Sequence, residues 1–376
     1  MTELCHICRS SPLIVNPQSR AFVRVTSDCK PWPAGGQLGT CKVCGTVQAV
    51  VTEAWQADAE KIYRAYQVYH QGAGAEQAVF STTGEGDTRS NRLVASLAVT
   101  INLPSAGHLL DIGCGNGNFL RTFGQAFPNW RLSGAEFDAK DVATLQKIPS
   151  FQKLHTSPLN EITEEFDLIS LVHTLEHIEN PNKFLKDIRR LLAPNGVLFV
   201  QVPYYRDNPF ELMTADHASH FAPDTLASLL ARSGFTPTLI STTWVGKEIS
   251  AIAQAGEEES KNEDRSLERS GRHLEDCLDW LNGLVDRAAK VQARAKIFGL
   301  FGSSIAATWT AANLPHLPDF FIDEDPARAG RSHMDRPILK PSEIPTEAEV
   351  FIALQQSISE RIFQRHNVLS PGRWNH

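Results

Sequence analysis

The chain of 376 residues has no run of about 18 apolar residues, so no stretch reads as a membrane span. It has no surplus of basic residues either. Net charge is -7 and the isoelectric point is near 6.0, which leaves little to neutralise a nucleic-acid backbone. The start, MTELCHICRSS, lacks the charged-then-apolar pattern of a secretory signal, so a cytoplasmic location is the expectation. An odd count of seven cysteines without such a signal argues against a disulfide framework. No internal repeat is visible. What is present is ordinary globular composition, 42% hydrophobic and 21% charged, in a chain long enough for two or three domains.

Four of the cysteines form two C-x-x-C pairs, Cys5/Cys8 and Cys41/Cys44. Each pair offers two thiolates at a spacing that suits two corners of a zinc tetrahedron. Gly45 follows the second pair in a turn that can aim amides at sulfur. Redox chemistry is the rival, but no βαβ pattern surrounds either pair. Four cysteines close the shell, so the metal is expected to be structural. His6 and Cys29 lie near the set and are read as non-ligands. The surrounding residues 1–50 are rich in turn formers and poor in apolar periodicity, so a metal would stand in for a core.

Residues 51–85 read as a helix, EAWQADAEKIYRAYQVYH, and then a glycine-rich tract that is mobile or covers a ligand. Residues 86–255 alternate strand and helix patterns. HLLDI, RLSGAEF, FQKLH, FDLISLVH and VLFVQV are the strands, and TPTLISTTW with EISAIAQ closes the segment as a hairpin. Such alternation implies a parallel sheet covered on both faces. The charged stretch 256–273 reads as a solvated linker or exposed helix start. Beyond it, KIFGLFGSS, DFFIDEDP and EVFIALQ outline a smaller α/β unit across 256–376.

Asp111-Ile112-Gly113-Cys114-Gly115-Asn116-Gly117 falls between a strand and a helix. Its glycines let the backbone turn sharply and approach a ligand, and the helix offers its N-terminal amides. An aspartate at the strand end is unhelpful beside phosphates and suits a cationic or hydroxyl-rich ligand. Glu136 ends the next strand, where a carboxylate can accept two bonds from a ribose diol. LDIGCGNGNFL resembles the first motif of class I S-adenosylmethionine-dependent methyltransferases, and GAEFD resembles their second. FDLISLVHTLEHIENP and LAPNGVLFVQVP resemble their fourth and fifth strands. The resemblance implies a Rossmann-like seven-stranded sheet with its last strand antiparallel. It also implies Asp111, Gly113 and Gly115 near the methionine of the cofactor, Glu136 at the ribose and Phe137 against the adenine. HTSPLNEI lacks the acidic residue often found after the third strand.

Asp216, His217 and His220 cluster after the fifth strand, where loops line the crevice of an open α/β sheet. A histidine beside a carboxylate is a general-base candidate. His173, after the fourth strand, is placed against cofactor or substrate, and His177 is read as a packing or hydrogen-bonding residue. The whole order resembles the zinc-binding sugar C-methyltransferases, which join an N-terminal four-cysteine domain, a methyltransferase domain and a C-terminal Rossmann-like domain. CHIC and CKVCGTVQ match the zinc signature, and ADHASHF is similar to the family's Glu-His-x-Ser-Tyr-Phe element. Thr214 stands where a tyrosine is often found, and the C-terminal glycine loop keeps only Gly299 and Gly302. The resemblance implies C-methylation of a sugar or nucleotide-linked ketosugar, with His217 as base, His220 in the tyrosine's place and Asp216 in the glutamate's. An O- or N-methyltransferase acting in polysaccharide or natural-product tailoring is the alternative. A non-catalytic cofactor-binding or partner-recruiting protein on the same scaffold is a third. A small-molecule substrate is expected, with neither nucleic acid nor membrane as partner.

Overall fold

The computed structural model describes residues 4–67, 70–76, 78–80, 86–258, 267–367 and 373–376. Parts of two segments named above, 81–85 in the glycine-rich tract and 259–266 in the charged stretch, lie outside the described residues.

The strands Leu13–Asn16, Leu38–Cys41 and Val47–Ala49 form an antiparallel sheet around the paired cysteines. A fourth strand of this sheet comes from far along the chain. Ser219–His220 pairs antiparallel with Val47–Gln48, Ser219 opposite Gln48 and His220 opposite Val47. Helix Glu53–Ala65 follows, capped by Thr52 accepting from the Trp55 amide at 3.2 Å. It buries Trp55, Ala59 and Ile62, one face at helical spacing, and ends before Tyr66. The glycine-rich tract forms a short ladder between Ala78–Phe80 and Gly86–Thr88. It leads into helix Arg89–Thr100, which Thr88 caps through the Asn91 amide.

The central sheet has seven strands. From edge to edge they are Phe151–His155, Arg131–Ala135, His108–Ile112, Phe166–Val172, Leu192–Pro203, Glu248–Ala255 and Phe235–Ser241. The first five are mutually parallel, and Glu248–Ala255 runs antiparallel to both neighbours. Two apolar clusters cover its faces, one around Phe166, Leu198 and Leu226, the other around Phe119, Phe123, Trp130 and Phe199. Burial on both faces explains why FDLISLV and VLFVQV read as continuous apolar runs. Strand His108–Ile112 lies between Arg131–Ala135 and Phe166–Val172, so the strand order reverses there and opens a crevice at the carboxyl ends.

Helix Leu267–Arg294 crosses to a second sheet. Its parallel strands run in the order Arg336–Leu339, Phe320–Ile322, Ile297–Phe301, Ala348–Ile352 and Trp374–Asn375, and Ser332–His333 adds an antiparallel edge. Residues of the connector tie this unit to the rest: Gln71 Nε2 donates to the Ser303 carbonyl, and the Ala78 amide to Asp325 Oδ2 at 3.1 Å. None of the described helices is long and apolar enough to cross a membrane.

Candidate active site and four-cysteine centre

A cavity of about 1190 Å³ opens at the carboxyl edge of the central sheet. The central domain contributes Asp111, Gly113, Glu136, His173, His177 and His217 to its wall, and the opposite wall comes from the C-terminal unit through Gly302, Arg328 and Arg361.

At one end sits the glycine loop. Gly113, Gly115 and Gly117 have φ of 76°, 51° and 79°, a left-handed backbone that side chains rarely adopt. A Cβ on Gly113 would lie 2.2 Å from Thr174 Oγ1, and Thr174 itself donates to the Ile112 carbonyl at 2.9 Å. Asn116 Nδ2 donates to the Gly74 carbonyl at 2.9 Å, so the connector is tied over the loop. Glu136 accepts from the Gly115 amide at 2.7 Å and from its neighbour Phe137 at 3.2 Å. Each carboxylate oxygen keeps a second lone pair, enough for a diol. Burial raises the Glu136 carboxyl, with the Gly115 amide pulling the other way. Burial pushes Asp111 up to about 7, although Ser170 donates to it at 2.7 Å. The Phe137 ring lines the cavity and is 88% exposed, an apolar plate ready to be covered.

His217 lies further along the wall and is 4% exposed. Its Nδ1 donates to Glu211 Oε1 at 2.6 Å, because a carboxylate only accepts. The other nitrogen, Nε2, is thereby the basic one. Burial is the largest influence and works against the imidazolium, but the charge and hydrogen bond of Glu211, with Glu176 and Asp216, together raise His217 to about 9. Burial likewise opposes the Glu211 carboxylate, which His217 holds down at about 2. His177 packs edge-on against His217 with ring centroids 4.5 Å apart, and its Nδ1 is 3.0 Å from Tyr63 Oη. Burial and the His217 charge lower His177.

The other two members of the histidine segment go elsewhere. Asp216 turns its carboxylate to Ser27, accepting from the amide at 2.9 Å and from Oγ at 2.5 Å. Asp216 lies in the turn that precedes His217 and is directed to Ser27, so the carboxylate on His217 is Glu211 and not Asp216. His220 donates from Nδ1 to the same Glu211 oxygen at 3.1 Å and is buried behind His217, outside the cavity wall. Its strand pairing with Val47 faces His220 inward, so it stands behind His217 and does not itself line the cavity.

His173 does face the cavity, at φ 54°, with Nδ1 3.2 Å from Glu176 and Nε2 3.2 Å from Glu248. Burial disfavours its charge, yet Glu248 raises it to about 9. Glu248 also takes Arg89 at 2.8 Å and Gln201 Nε2. Next to it, Lys247 lines the cavity at φ 70°, and burial lowers its amine to about 8. Sequence reading missed Glu211, Tyr63, Glu248 and Lys247. Glu211 had one visible signal, an acidic residue in the short turn PFELM six positions before His217.

At the N-terminus the thiol sulfurs of Cys5, Cys8, Cys41 and Cys44 all lie within 4.8 Å of one another. Cys5 to Cys44 is 3.6 Å and Cys8 to Cys41 is 3.5 Å, and all are free thiols. Corners of a tetrahedral zinc–thiolate site stand about 3.8 Å apart, so the set fits. The amides of Cys8, Val43 and Cys44 and the side chain of Gln48 donate to sulfur at 3.1–3.5 Å. His6 points away, its Nε2 2.8 Å from Ser219 Oγ, and Cys29 lies at the large cavity.

Residues 87–240 match the family described as methyltransferase domain. Trans-aconitate 2-methyltransferase of Acidovorax sp. (strain JS42) is 28% identical over 138 residues, covering 36% of this chain and 54% of that protein. C-methyltransferase NovU of Streptomyces niveus is 27% identical over 172 residues, covering 43% of this chain and 40% of that protein. The chain thus spans about half the length of the curated relatives it matches. Among solved structures, the 1,6-didemethyltoxoflavin-N1-methyltransferase of Burkholderia thailandensis is similar with a TM-score of 0.42 at 18% identity, covering 59% of this chain and 96% of that one. The central α/β unit has a Rossmann-like fold, and most of it, residues 87–240, matches the methyltransferase domain family.

Proposed function

We propose that the protein is an S-adenosylmethionine-dependent methyltransferase that C-methylates a sugar or nucleotide-linked ketosugar. The observation that carries this reading is one cavity holding both the Asp111–Gly113–Gly115–Glu136 end and the Glu211–His217 pair. The cofactor supplies a methyl group already activated by its sulfonium. Glu136 would hold the ribose, Phe137 would lie against the adenine, and the acidic Asp111 suits the cationic methionine end. His217, through Nε2, removes a proton from the acceptor, and Glu211 fixes its tautomer and holds the imidazolium that forms. A cavity of about 1190 Å³ exceeds the usual single-ligand pocket. The wall from the C-terminal unit leaves space for a second, extended ligand, as a sugar nucleotide is. The relatives include C- and O-methyltransferases by name, so the methylated atom is the point to test.

Nucleotide-linked ketosugars are incubated with the enzyme, cofactor and deuterated water. Methyl on carbon, with deuterium entering that carbon in the wild type and not in His217→Ala, is the expected result. The variant should lose turnover by roughly 10²–10⁴-fold while keeping cofactor affinity. Methyl on oxygen or nitrogen would reject C-methylation in favour of the O- or N-transfer reading. Near-normal turnover in His217→Ala would reject the base.

We also assign a structural zinc to Cys5, Cys8, Cys41 and Cys44, supported by the sulfur spacing and the amides aimed at sulfur. A closed four-thiolate shell leaves no position for substrate.

A further inference from the structure

The segment that carries His217 is held mainly by residues outside the domain it belongs to. The Ala215 amide donates to the Val25 carbonyl at 2.7 Å, and Ser27 donates twice to Asp216. The Ala49 amide donates to the Ala218 carbonyl at 3.0 Å. Ser219 and His220 are then a strand of the four-cysteine sheet. Among the described residues the central domain contributes to this segment's backbone the bond from the Ala218 amide to the Glu176 carbonyl at 2.7 Å and the contact of His177 Nδ1 with the Asp216 carbonyl at 3.1 Å.

The connection to the thiols is direct. Gln48, fully buried, donates from Nε2 to Cys5 Sγ at 3.1 Å and accepts the His6 amide on Oε1 at 3.0 Å. Both ends of its amide are used, so it cannot rotate without orphaning a buried group. Its backbone is the register partner of Ser219, whose Oγ is 2.8 Å from His6 Nε2. On the far side of that strand residue, His220 binds Glu211, and Glu211 binds His217. An unbroken series of contacts thus runs from Cys5 through Gln48 and His6 to Ser219–His220, Glu211 and His217.

We propose that the metal-loaded four-cysteine module is the frame that positions His217, with Gln48 and His6 as its positioning residues. This rests on the readings of the cysteines as a zinc site and of His217 as proton acceptor. The physical reason is that the module's apolar side chains, Ile7, Val25, Leu38 and Val47, are buried in clusters shared with the neighbouring units, so within the module it is the metal that ties Cys5 and Cys8 to Cys41 and Cys44 and thereby fixes the strands beside them. Loss of the metal loosens Val47–Gln48, and the strand Ser219–His220 loses its partner. The glycine loop and Glu136 hang on the central sheet and do not depend on the module.

The test uses the full chain, zinc-loaded and after chelation, with hydrogen exchange read by peptide mass spectrometry. Chelation should speed exchange across 215–220 by about tenfold or more, leave 109–112 and 168–172 protected, and reverse when zinc returns. Cofactor affinity by calorimetry should stay within about twofold. Gln48→Leu and Ser219→Ala, which keep all four thiols, should retain zinc by elemental analysis and still speed exchange at 218–220. In the same variants the reactivity of His217 toward diethyl pyrocarbonate should rise, and kcat should fall with little change in the cofactor Kd. Unchanged exchange across 215–220 in both variants and after chelation would overturn the proposal. Normal turnover in His217→Ala would remove the proton-acceptor reading alone and leave the exchange result standing, so the two failures are distinguishable.

Discussion

Glu211→Gln isolates the electrostatics of the site. The change keeps size and an oxygen that can still accept from His217 Nδ1, but it removes the charge. In the native site burial lowers His217, and the Glu211 charge and hydrogen bond, helped by Glu176 and Asp216, carry it from 6.5 to about 9. At 1.36 kcal/mol per unit this corresponds to about 3 kcal/mol in favour of the imidazolium. Without it, burial favours the neutral ring, and only the smaller contributions of Glu176 and Asp216 oppose it. His217 in the variant should therefore titrate below 6.5. The assay is nuclear magnetic resonance of histidine-labelled protein across pH, with the signal assigned by its loss in His217→Asn. A catalytic consequence follows. The native free base forms as pH rises through about 9, so kcat/KM should climb into the alkaline range. The variant should lose that limb, and its deficit should be largest at about pH 9.5 and smaller near neutrality, where more of its weaker base is free. Stability moves the same way. The folded His217 is raised, so its contribution is full below about 6.5 and fades as pH rises through about 9. The Glu211 contribution is full above about 4.5 and fades as pH falls through about 2. A native His217 that titrates near 6.5, or one that Glu211→Gln does not move, would refute the reasoning.

Gly113→Ala should abolish cofactor binding, since its Cβ meets Thr174 Oγ1 at 2.2 Å on a left-handed backbone, whereas Glu136→Ala should weaken binding by about 1–3 kcal/mol. Calorimetry showing unchanged affinity in both would exclude this placement of the cofactor. Freshly purified protein should carry one zinc, and Cys41→Ser should lose it and expose the N-terminal sheet to protease; elemental analysis without zinc would sink the assignment. Lys247 has no ion pair among the described residues, and its lowered amine faces the cavity, so it should be the fastest lysine toward trinitrobenzenesulfonate at about pH 7.5. Lys247→Met should remove that fast phase, and a wild type without one would contradict the placement.

The central sheet was legible because its information is local. Each strand is a short apolar run with a glycine or polar stop, and burial on both faces makes the run continuous. The glycine loop was legible for the same reason: φ values of 76°, 51° and 79° within five residues demand glycine, so the backbone requirement is written in the residue type. The cysteine pairs announce themselves by spacing. Glu211 was not legible as the partner of His217. Asp216 is adjacent in sequence and of the same chemistry, and only the turn at Ala215–Asp216, which sends that carboxylate to Ser27, separates them.

The contribution of the first fifty residues to the His217 segment lies further from anything the sequence displays. A two-residue strand, Ser219–His220, has no periodicity to read, and its partner Val47–Gln48 is more than 170 residues away. A one-residue shift of that pairing would exchange the faces of Ser219 and His220. Ser219 would leave His6, and His220 would leave Glu211. Register is therefore what the distant sheet supplies: it fixes which of two adjacent polar side chains meets the carboxylate that holds His217. The buried bonds of Gln48 to Cys5 and His6, and of Ser219 to His6, would be broken by such a slip. That accounts for a buried glutamine, Gln48, where an apolar residue would fill the space as well but could not report the position of Cys5 to the strand beside it.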